Sequence, residues 1–204
     1  QWEQEMKKAD EQYGPKFAKY RNMDVKAVAA DPEAMAMGKR LFQTYCMQCH
    51  GADARGAKGF PNLTDNDWLG GDGSPEYIKA TITNGRMGVM TPFKDVLNPE
   101  QIKDVANYVR SLSGLSHDAQ RAERGAQVFA ENCAVCHGPD AKGNPLIGAP
   151  NLTDDIWLWG SSEAQIISNV TNGIQNRMPA FGEFLGEDKV HILTAYVWGL
   201  SHKQ

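Results

Sequence analysis

Cys46-Met47-Gln48-Cys49-His50 and Cys133-Ala134-Val135-Cys136-His137 are the two stretches that decide the fold of this 204-residue chain. They contain all four of its cysteines and two of its five histidines. Two thiols separated by two residues can add to the two vinyl groups of one haem, and the histidine that follows is then held beneath the iron. The pattern predicts two covalent c-type haems, attached through Cys46, Cys49, Cys133 and Cys136, with His50 and His137 as axial ligands.

Two other readings of the cysteine pairs fit less well. A structural zinc site would bring two such pairs within about 15 to 20 residues of each other, whereas here they lie 87 residues apart. A thioredoxin-like redox pair does not need a histidine directly after the second cysteine. Because no other cysteine exists, no disulfide is expected, and c-type haem attachment outside the cytoplasm favours the periplasmic side of a bacterial inner membrane.

The composition of the chain limits the classes of protein to which it could belong. No run of 18 or more apolar residues is present, so the sequence predicts no membrane span within the chain. The chain begins at Gln1 without a signal sequence, and we therefore expect a processed or truncated product. A net charge of -4 argues against nucleic acid as a partner. All of that charge lies in residues 116–204, which contain six basic and ten acidic residues.

The sequence contains an internal repeat. Pro61-Asn62-Leu63-Thr64-Asp65 corresponds to Pro150-Asn151-Leu152-Thr153-Asp154, Trp68 to Trp157, and Tyr108-Val109 to Tyr196-Val197. The offset between equivalent residues stays between 87 and 89. We therefore divide the chain into an N-terminal connector at residues 1–32 and two domains at residues 33–115 and 116–204.

Each repeat is predicted to be helical. A helix should precede each haem peptide, at residues 32–45 and 118–132, with Asp31 and either Ser116 or Asp118 as caps. Apolar residues at helical spacing predict a closing helix at residues 99–112 and 187–200, and shorter helices fit residues 75–83 and 162–170. No segment alternates convincingly with period two, so the predicted class is all-α. Gly38 and Gly125 lie four residues before a phenylalanine and predict a close approach of the closing helix.

The second axial position of each iron is predicted to be filled by methionine. Met178 is the only methionine after the second haem peptide. After the first, Met87 and Met90 compete, and the alignment favours Met90 because both it and Met178 lie five residues after a Thr-Asn-Gly. We therefore assign Met90 to the first haem and Met178 to the second. His117, His191 and His202 are the alternative ligands, and their positions make them surface or packing residues.

Further residues are expected to support the haems. The carbonyl groups of Pro61 and Pro150 can accept the Nδ1 proton of the axial histidines, although both prolines fit a simple turn as well. The indoles of Trp68 and Trp157 can donate to haem propionates, and burial of the rings is the plainer alternative.

These motifs resemble the class I cytochrome c fold twice over. With Asn84-Gly85-Arg86-Met87-Gly88-Val89-Met90, Met178-Pro179-Ala180-Phe181 and a closing Tyr196-Val197-Trp198-Gly199-Leu200-Ser201, nearly the whole chain resembles subunit III, the dihaem subunit of cbb3-type haem-copper cytochrome c oxidases. The resemblance implies histidine and methionine at both irons, and a membrane helix upstream of a polar connector like residues 2–20. One departure is Thr91 between Met90 and Pro92, where the family usually has proline directly after the ligand.

The resemblance also implies a function. Such a subunit relays electrons from soluble periplasmic cytochromes towards the catalytic and monohaem subunits, in aerobic respiration, and has no catalytic site of its own. The alternatives are a free periplasmic dihaem shuttle and a dihaem peroxidase, which would need one exchangeable iron position. The acidic second repeat predicts docking of a donor with a lysine-rich haem rim.

Overall fold

A computed structural model of the chain describes residues 14–202 and divides it into two compact units. The first unit consists of residues 1–66, 73–86 and 178–204, and the second of residues 67–72 and 87–177. Residues 2–13 of the predicted polar connector lie outside the described residues.

The first unit begins with a helical segment at residues 14–20. Its named helices are α1 (Val25–Ala29), α2 (Pro32–Tyr45), α3 (Met47–His50), α4 (Pro75–Asn84), α9 (Gly182–Leu185) and α10 (Glu187–Ser201). The side chain of Asp31 caps α2 by accepting from the backbone N–H groups of Glu33 and Ala34, as predicted. Tyr20, Val28, Met37 and Ile192 form the core. The connector is thus packed on α2 and α10, with Tyr20 fully buried.

The second unit contains α5 (Pro99–Leu112), α6 (Ala119–Asn132), α7 (Ala134–His137) and α8 (Glu163–Asn172). Asp118, and not Ser116, caps α6. A capping box between Asn98 and Gln101 starts α5. Val105, Val128, Phe129 and Ile166 form the core, against which Met90 and Trp157 pack.

The closing helices are exchanged between the two sequence repeats: each compact unit combines the leading helix of one repeat with the closing helix of the other. Gly38 of α2 lies against Tyr196 of α10, and Gly125 of α6 lies against Asp104 and Tyr108 of α5. The predicted close approach is therefore present, but each leading helix receives the closing helix of the other repeat. The division into residues 33–115 and 116–204 describes the repeats of the sequence and differs from the compact units. The sequence could not distinguish the two pairings because Tyr108 and Tyr196 are equivalent and fit either glycine.

Two short strands depart from the all-helical prediction. They are β1 (Arg86–Met90) and β2 (Ile174–Met178), which pair with each other as a small sheet. Each strand follows a helix that ends at a glycine with positive φ, Gly85 or Gly173. The overall class remains helical. Within residues 14–202, no helix has the length and apolar character needed to cross a membrane.

Candidate haem-binding sites

Each haem peptide forms a single helical turn that ends at its histidine. Gly51 and Gly138 terminate these turns, both with φ of 79°. The loop then folds back, with N–H groups of Gly56 and Gly143 donating to the carbonyls of His50 and His137 at 2.8 Å. The two peptides therefore have the same backbone geometry, although they belong to different units.

An alanine in the left-handed region follows each peptide. Ala54 has φ of 60° and Ala141 has φ of 58°, a conformation that costs a non-glycine residue free energy. Both alanines are buried, and their carbonyls accept N–H groups of Leu63 and Leu152 at 2.8 Å. These contacts hold the Pro-Asn-Leu-Thr segments against the haem peptides.

Proline carbonyls orient both imidazoles. Nδ1 of His50 lies 3.1 Å from the carbonyl oxygen of Pro61, and Nδ1 of His137 lies 3.1 Å from that of Pro150. The asparagine after each proline holds the turn in place. Oδ1 of Asn62 accepts from the backbone N–H and the hydroxyl of Thr64, and Oδ1 of Asn151 accepts from the same two groups of Thr153. This is the contact that the sequence predicted for the two prolines.

The hydrogen bond selects one imidazole tautomer. A carbonyl only accepts, so Nδ1 carries the proton and Nε2 keeps its lone pair. Burial lowers the pKa of both His50 and His137, which keeps the rings neutral, while the proline carbonyls oppose that shift. A neutral imidazole with a free Nε2 lone pair is the form that binds iron.

In the polypeptide before haem attachment, the first cysteine of each pair has a thiol with a raised pKa. Burial, with the neighbouring Cys49, raises the pKa of Cys46 to about 11, and burial with Cys136 raises that of Cys133 to about 11. Redox-active cysteine pairs instead depend on thiols with a lowered pKa. The environment therefore does not support the thioredoxin-like reading.

The candidate methionines differ in how exposed they are and in the compact unit to which they belong. Met87 is 67% exposed, whereas Met90 is partly buried and packs on the core that contains Phe129 and Cys133. Met178 is half-buried. Which methionine binds which iron stays a prediction, but Met90 belongs to the unit of His137 and Met178 to the unit of His50, which differs from our sequence-based pairing of Met90 with the first haem. The exchanged chain connection is the physical reason.

The remaining histidines have other partners. Nε2 of His191 lies 3.0 Å from the carbonyl oxygen of Met23, and Nδ1 of His117 lies 2.8 Å from that of Leu115. The ring of His202 stacks on Trp198. These contacts agree with packing and surface roles rather than iron ligation.

Two buried indole groups in the second unit lack an acceptor. Nε1 of Trp157 and Nε1 of Trp159 are inaccessible and have no hydrogen-bond partner within the described protein. An unpaired buried donor costs free energy, so these N–H groups require an acceptor that the polypeptide does not supply. Haem propionates are such acceptors, and the residues present therefore fit the group.

Sequence reasoning did not identify Trp159. Its equivalent in the first repeat is Gly70, so the alignment gave no repeated signal, and only the additional aromatic residue marked the position. Trp68 lies in residues 67–72, which group with the second unit rather than with His50. Its predicted propionate contact remains a prediction.

The two sites have the features of c-type cytochromes: a covalent attachment peptide, a carbonyl-oriented histidine and a candidate thioether ligand. Within residues 14–202, no three histidine, cysteine or acidic side chains form a group that could hold a metal ion by themselves. The family model for subunit III of cbb3-type cytochrome c oxidase matches residues 33–109 and 120–197. The chain belongs to this family, which carries covalently bound haem c, and two haems fit the two matched segments.

Curated relatives agree with this assignment. The chain is 52% identical over 198 residues to the cbb3-type cytochrome c oxidase subunit CcoP of Rubrivivax gelatinosus, covering 97% of this chain and 64% of that protein. It is 46% identical over 202 residues to subunit FixP of a Bradyrhizobium species, covering 92% and 69%. CcoP of Cereibacter sphaeroides is 42% identical over 194 residues, covering 88% and 67%. The chain thus spans about two thirds of the length of these relatives.

Proposed function

We propose that this chain relays single electrons from soluble periplasmic cytochrome c donors to the catalytic and monohaem subunits of a cbb3-type oxidase in aerobic respiration. A membrane helix upstream would hold it on the periplasmic side of the inner membrane. The observation that supports the proposal is that each compact unit contains one carbonyl-oriented histidine of a haem peptide and one partly buried candidate methionine. Oxygen reduction belongs to another subunit.

The ligand assignment follows the compact units. His50 and Met178 would hold the iron of the first haem, and His137 and Met90 that of the second. Bound haem supplies a one-electron ferric–ferrous couple. Two protein ligands at each iron leave no position for a substrate, which favours electron transfer over peroxidase chemistry.

The protein groups around each site are arranged for transfer without proton movement. The Nδ1 protons of His50 and His137 are already bonded to carbonyls, which cannot accept a proton in this pH range. His50 is buried and His137 is half-buried, which limits the access of water to the two rings. Fixed ligands and restricted solvent keep structural change between the oxidation states small.

Ligand substitution tests the assignment. In a variant that retains haem only at Cys46 and Cys49, Met178→Ala should abolish the iron–thioether charge-transfer band, while Met90→Ala should leave it in place. The reciprocal single-haem variant should show the reverse. Circular dichroism would verify that each protein remains folded. If Met90→Ala abolishes the band in the first variant, each haem takes its methionine from its own sequence repeat and the assignment by compact units is wrong.

Oxygen consumption tests the relay itself. In the assembled oxidase, both methionine variants should lower oxygen uptake driven by a reduced cytochrome c by about tenfold or more, because each leaves an iron with altered ligation and potential. A small mediator that reduces the catalytic subunit directly should restore uptake. Unchanged cytochrome-driven uptake in both variants would exclude the relay. Carbon monoxide binding by the reduced wild-type protein would instead favour a peroxidase.

A further inference from the structure

Three large apolar side chains project from the second haem peptide and the turn after it. Val135, between the two haem-attaching cysteines, is 84% exposed, and Leu146 and Ile147 are 93% and 54% exposed. All three lie within residues 135–147 of the sequence, and exposed apolar side chains that adjoin one another are typical of surfaces that bind a partner. We call Val135, Leu146 and Ile147 the apolar rim.

The turn that carries Leu146 and Ile147 is well defined. Asn144 and Ala149 form a two-way backbone bridge at 2.9 and 3.0 Å, and Oδ1 of Asn144 accepts the N–H of Leu146 at 3.0 Å. Gly143 allows the close approach of the Ala149 and Pro150 backbone at the base of the turn. These hydrogen bonds position the two side chains outward, so little ordering is needed when a partner binds.

The first repeat lacks most of this surface. Its equivalent turn, bridged between Ala57 and Phe60, is two residues shorter and has only Lys58 and Gly59 between the bridged residues. Gln48 stands at the position of Val135. Met47 in the haem peptide and Phe60 at the turn are 45% and 40% exposed, so the apolar surface here is present but smaller. The shared scaffold therefore carries an apolar rim in one unit and a shorter, lysine-containing turn in the other.

The charges of the two units also differ. The second unit has seven basic and twelve acidic residues, a net charge of -5, whereas the first has fourteen and thirteen, a net charge of +1. A net negative unit attracts a positively charged protein over a distance, and an apolar contact then holds the docked complex. The combination fits a basic partner with an apolar centre.

On these grounds we propose that the apolar rim of the second unit is the docking site for a soluble electron donor whose redox centre is surrounded by lysine or arginine side chains. The inference rests on the proposed relay function and identifies the unit at which electrons enter. In the docked complex the donor loses one electron and this chain gains it, with no proton transferred and no bond formed or broken. The partner is thus a basic single-electron carrier.

Stopped-flow reduction of the full chain with both haems tests the proposal. The probe is a reduced, lysine-rich monohaem cytochrome c. Leu146→Gln combined with Ile147→Gln should lower the second-order rate constant about tenfold, the effect of losing about 1.4 kcal/mol of docking free energy. Two matched controls remove exposed apolar groups elsewhere: Phe60→Gln at the equivalent turn and Val96→Gln in the second unit. Both should stay within about twofold of wild type.

The contribution of charge to docking is tested with the same proteins. The wild-type rate constant should fall with ionic strength, and a succinylated form of the probe, in which the lysines are negatively charged, should react much more slowly. Reduction by ascorbate should be the same for all variants, which separates docking from changes in the haems.

Several results would overturn the docking site. An unchanged rate in the rim variant, or an equal loss in Phe60→Gln, would contradict it. A shift in the potential or spectrum of the second haem in the rim variant would show that the rim covers the haem instead. If ascorbate reduces both haems but the basic cytochrome does not, the docking proposal fails while the relay stands. Failure of the relay would appear separately, in the oxygen uptake of the methionine variants.

Discussion

Gly38 and Tyr196 are in direct contact: a Cβ atom added to the glycine would lie 2.5 Å from Cβ of the tyrosine. Tyr196 belongs to the closing helix of the second repeat, while Gly38 belongs to the leading helix of the first. The contact requires glycine because any side chain would push the two helices apart. It also identifies which closing helix completes the first unit.

Gly38→Ala should therefore destabilise the protein by about 2 kcal/mol, since the added methyl group has no space between α2 and α10. Thermal unfolding followed by circular dichroism would measure the loss. Gly14→Ala is the matched control, because nothing lies within 4 Å of its added Cβ, and it should be neutral or slightly stabilising.

A double-mutant cycle would establish the helix exchange in solution. Tyr196→Gly should couple strongly to Gly38→Ala, since it removes the Cβ and Cγ atoms that the new methyl meets, whereas Tyr108→Gly should be additive with it. Coupling to Tyr108 in place of Tyr196 would show that each repeat uses its own closing helix.

Trp159→Phe should lower the reduction potential of the second haem, by an amount on the order of tens of millivolts. An indole donor to a propionate offsets negative charge near the iron, and that charge favours the ferric state. Potentiometric titration would measure the shift. Trp198→Phe, in the first unit, should leave the second haem unchanged.

The stability of the same variant gives an independent result. If the Trp159 indole bonds to a propionate, Phe should destabilise the holoprotein by about 1 kcal/mol. A variant that is equally or more stable would mean that the indole has no acceptor when haem is bound.

Asp104→Asn should destabilise the second unit by about 2 kcal/mol. The buried carboxylate accepts from Nε and Nη2 of Arg124 at 2.8 and 2.9 Å and from Nη1 of Arg121 at 2.9 Å. Loss of its charge leaves two guanidinium groups with a weaker partner. Glu100→Gln is the matched control, since this exposed glutamate also pairs with Arg121, and its effect on stability should be much smaller because solvent screens the pair. Equal effects of the two substitutions would contradict the role of burial.

The contribution of Asp104 should depend on pH. Hydrogen bonds from Arg124, followed by Arg121, hold the pKa of Asp104 below its usual value despite its burial. The ionised group therefore stabilises the fold above its unfolded pKa of about 3.9, and this stabilisation is lost as pH falls through the lower, folded pKa. The difference in melting temperature between wild type and Asp104→Asn should be constant from about pH 7 to pH 5 and shrink below about pH 4. A difference that persists in acid would exclude the charge as its cause.

Local features of this molecule could be predicted from the sequence, because they depend on neighbouring residues. The helix α2 begins after Asp31 and at Pro32, as its cap and proline indicate, and the carbonyls of Pro61 and Pro150 reach the two histidines. The strands were not predicted, since Arg86–Met90 has no alternating pattern and its structure depends on pairing with Ile174–Met178.

The pairing of helices that lie far apart in the sequence could not be predicted, for a related reason. Two similar repeats offer each leading helix two nearly equivalent partners, and Tyr108 and Tyr196 fit the same kind of glycine contact. The choice depends on the geometry of the connecting segments, which local patterns do not encode. The same ambiguity explains why our pairing of Met90 with the first haem differs from the grouping of Met90 with His137 in the structure.

The exchanged closing helix has a consequence for biogenesis. The unit around Cys46 and Cys49 includes α10, so it can reach its final packing only after the chain has been made through Ser201. The unit around Cys133 draws its residues from the middle of the chain and can close earlier. Maturation should therefore proceed from the interior outwards, and a fragment ending between the repeats should yield neither a complete first unit nor a complete second one.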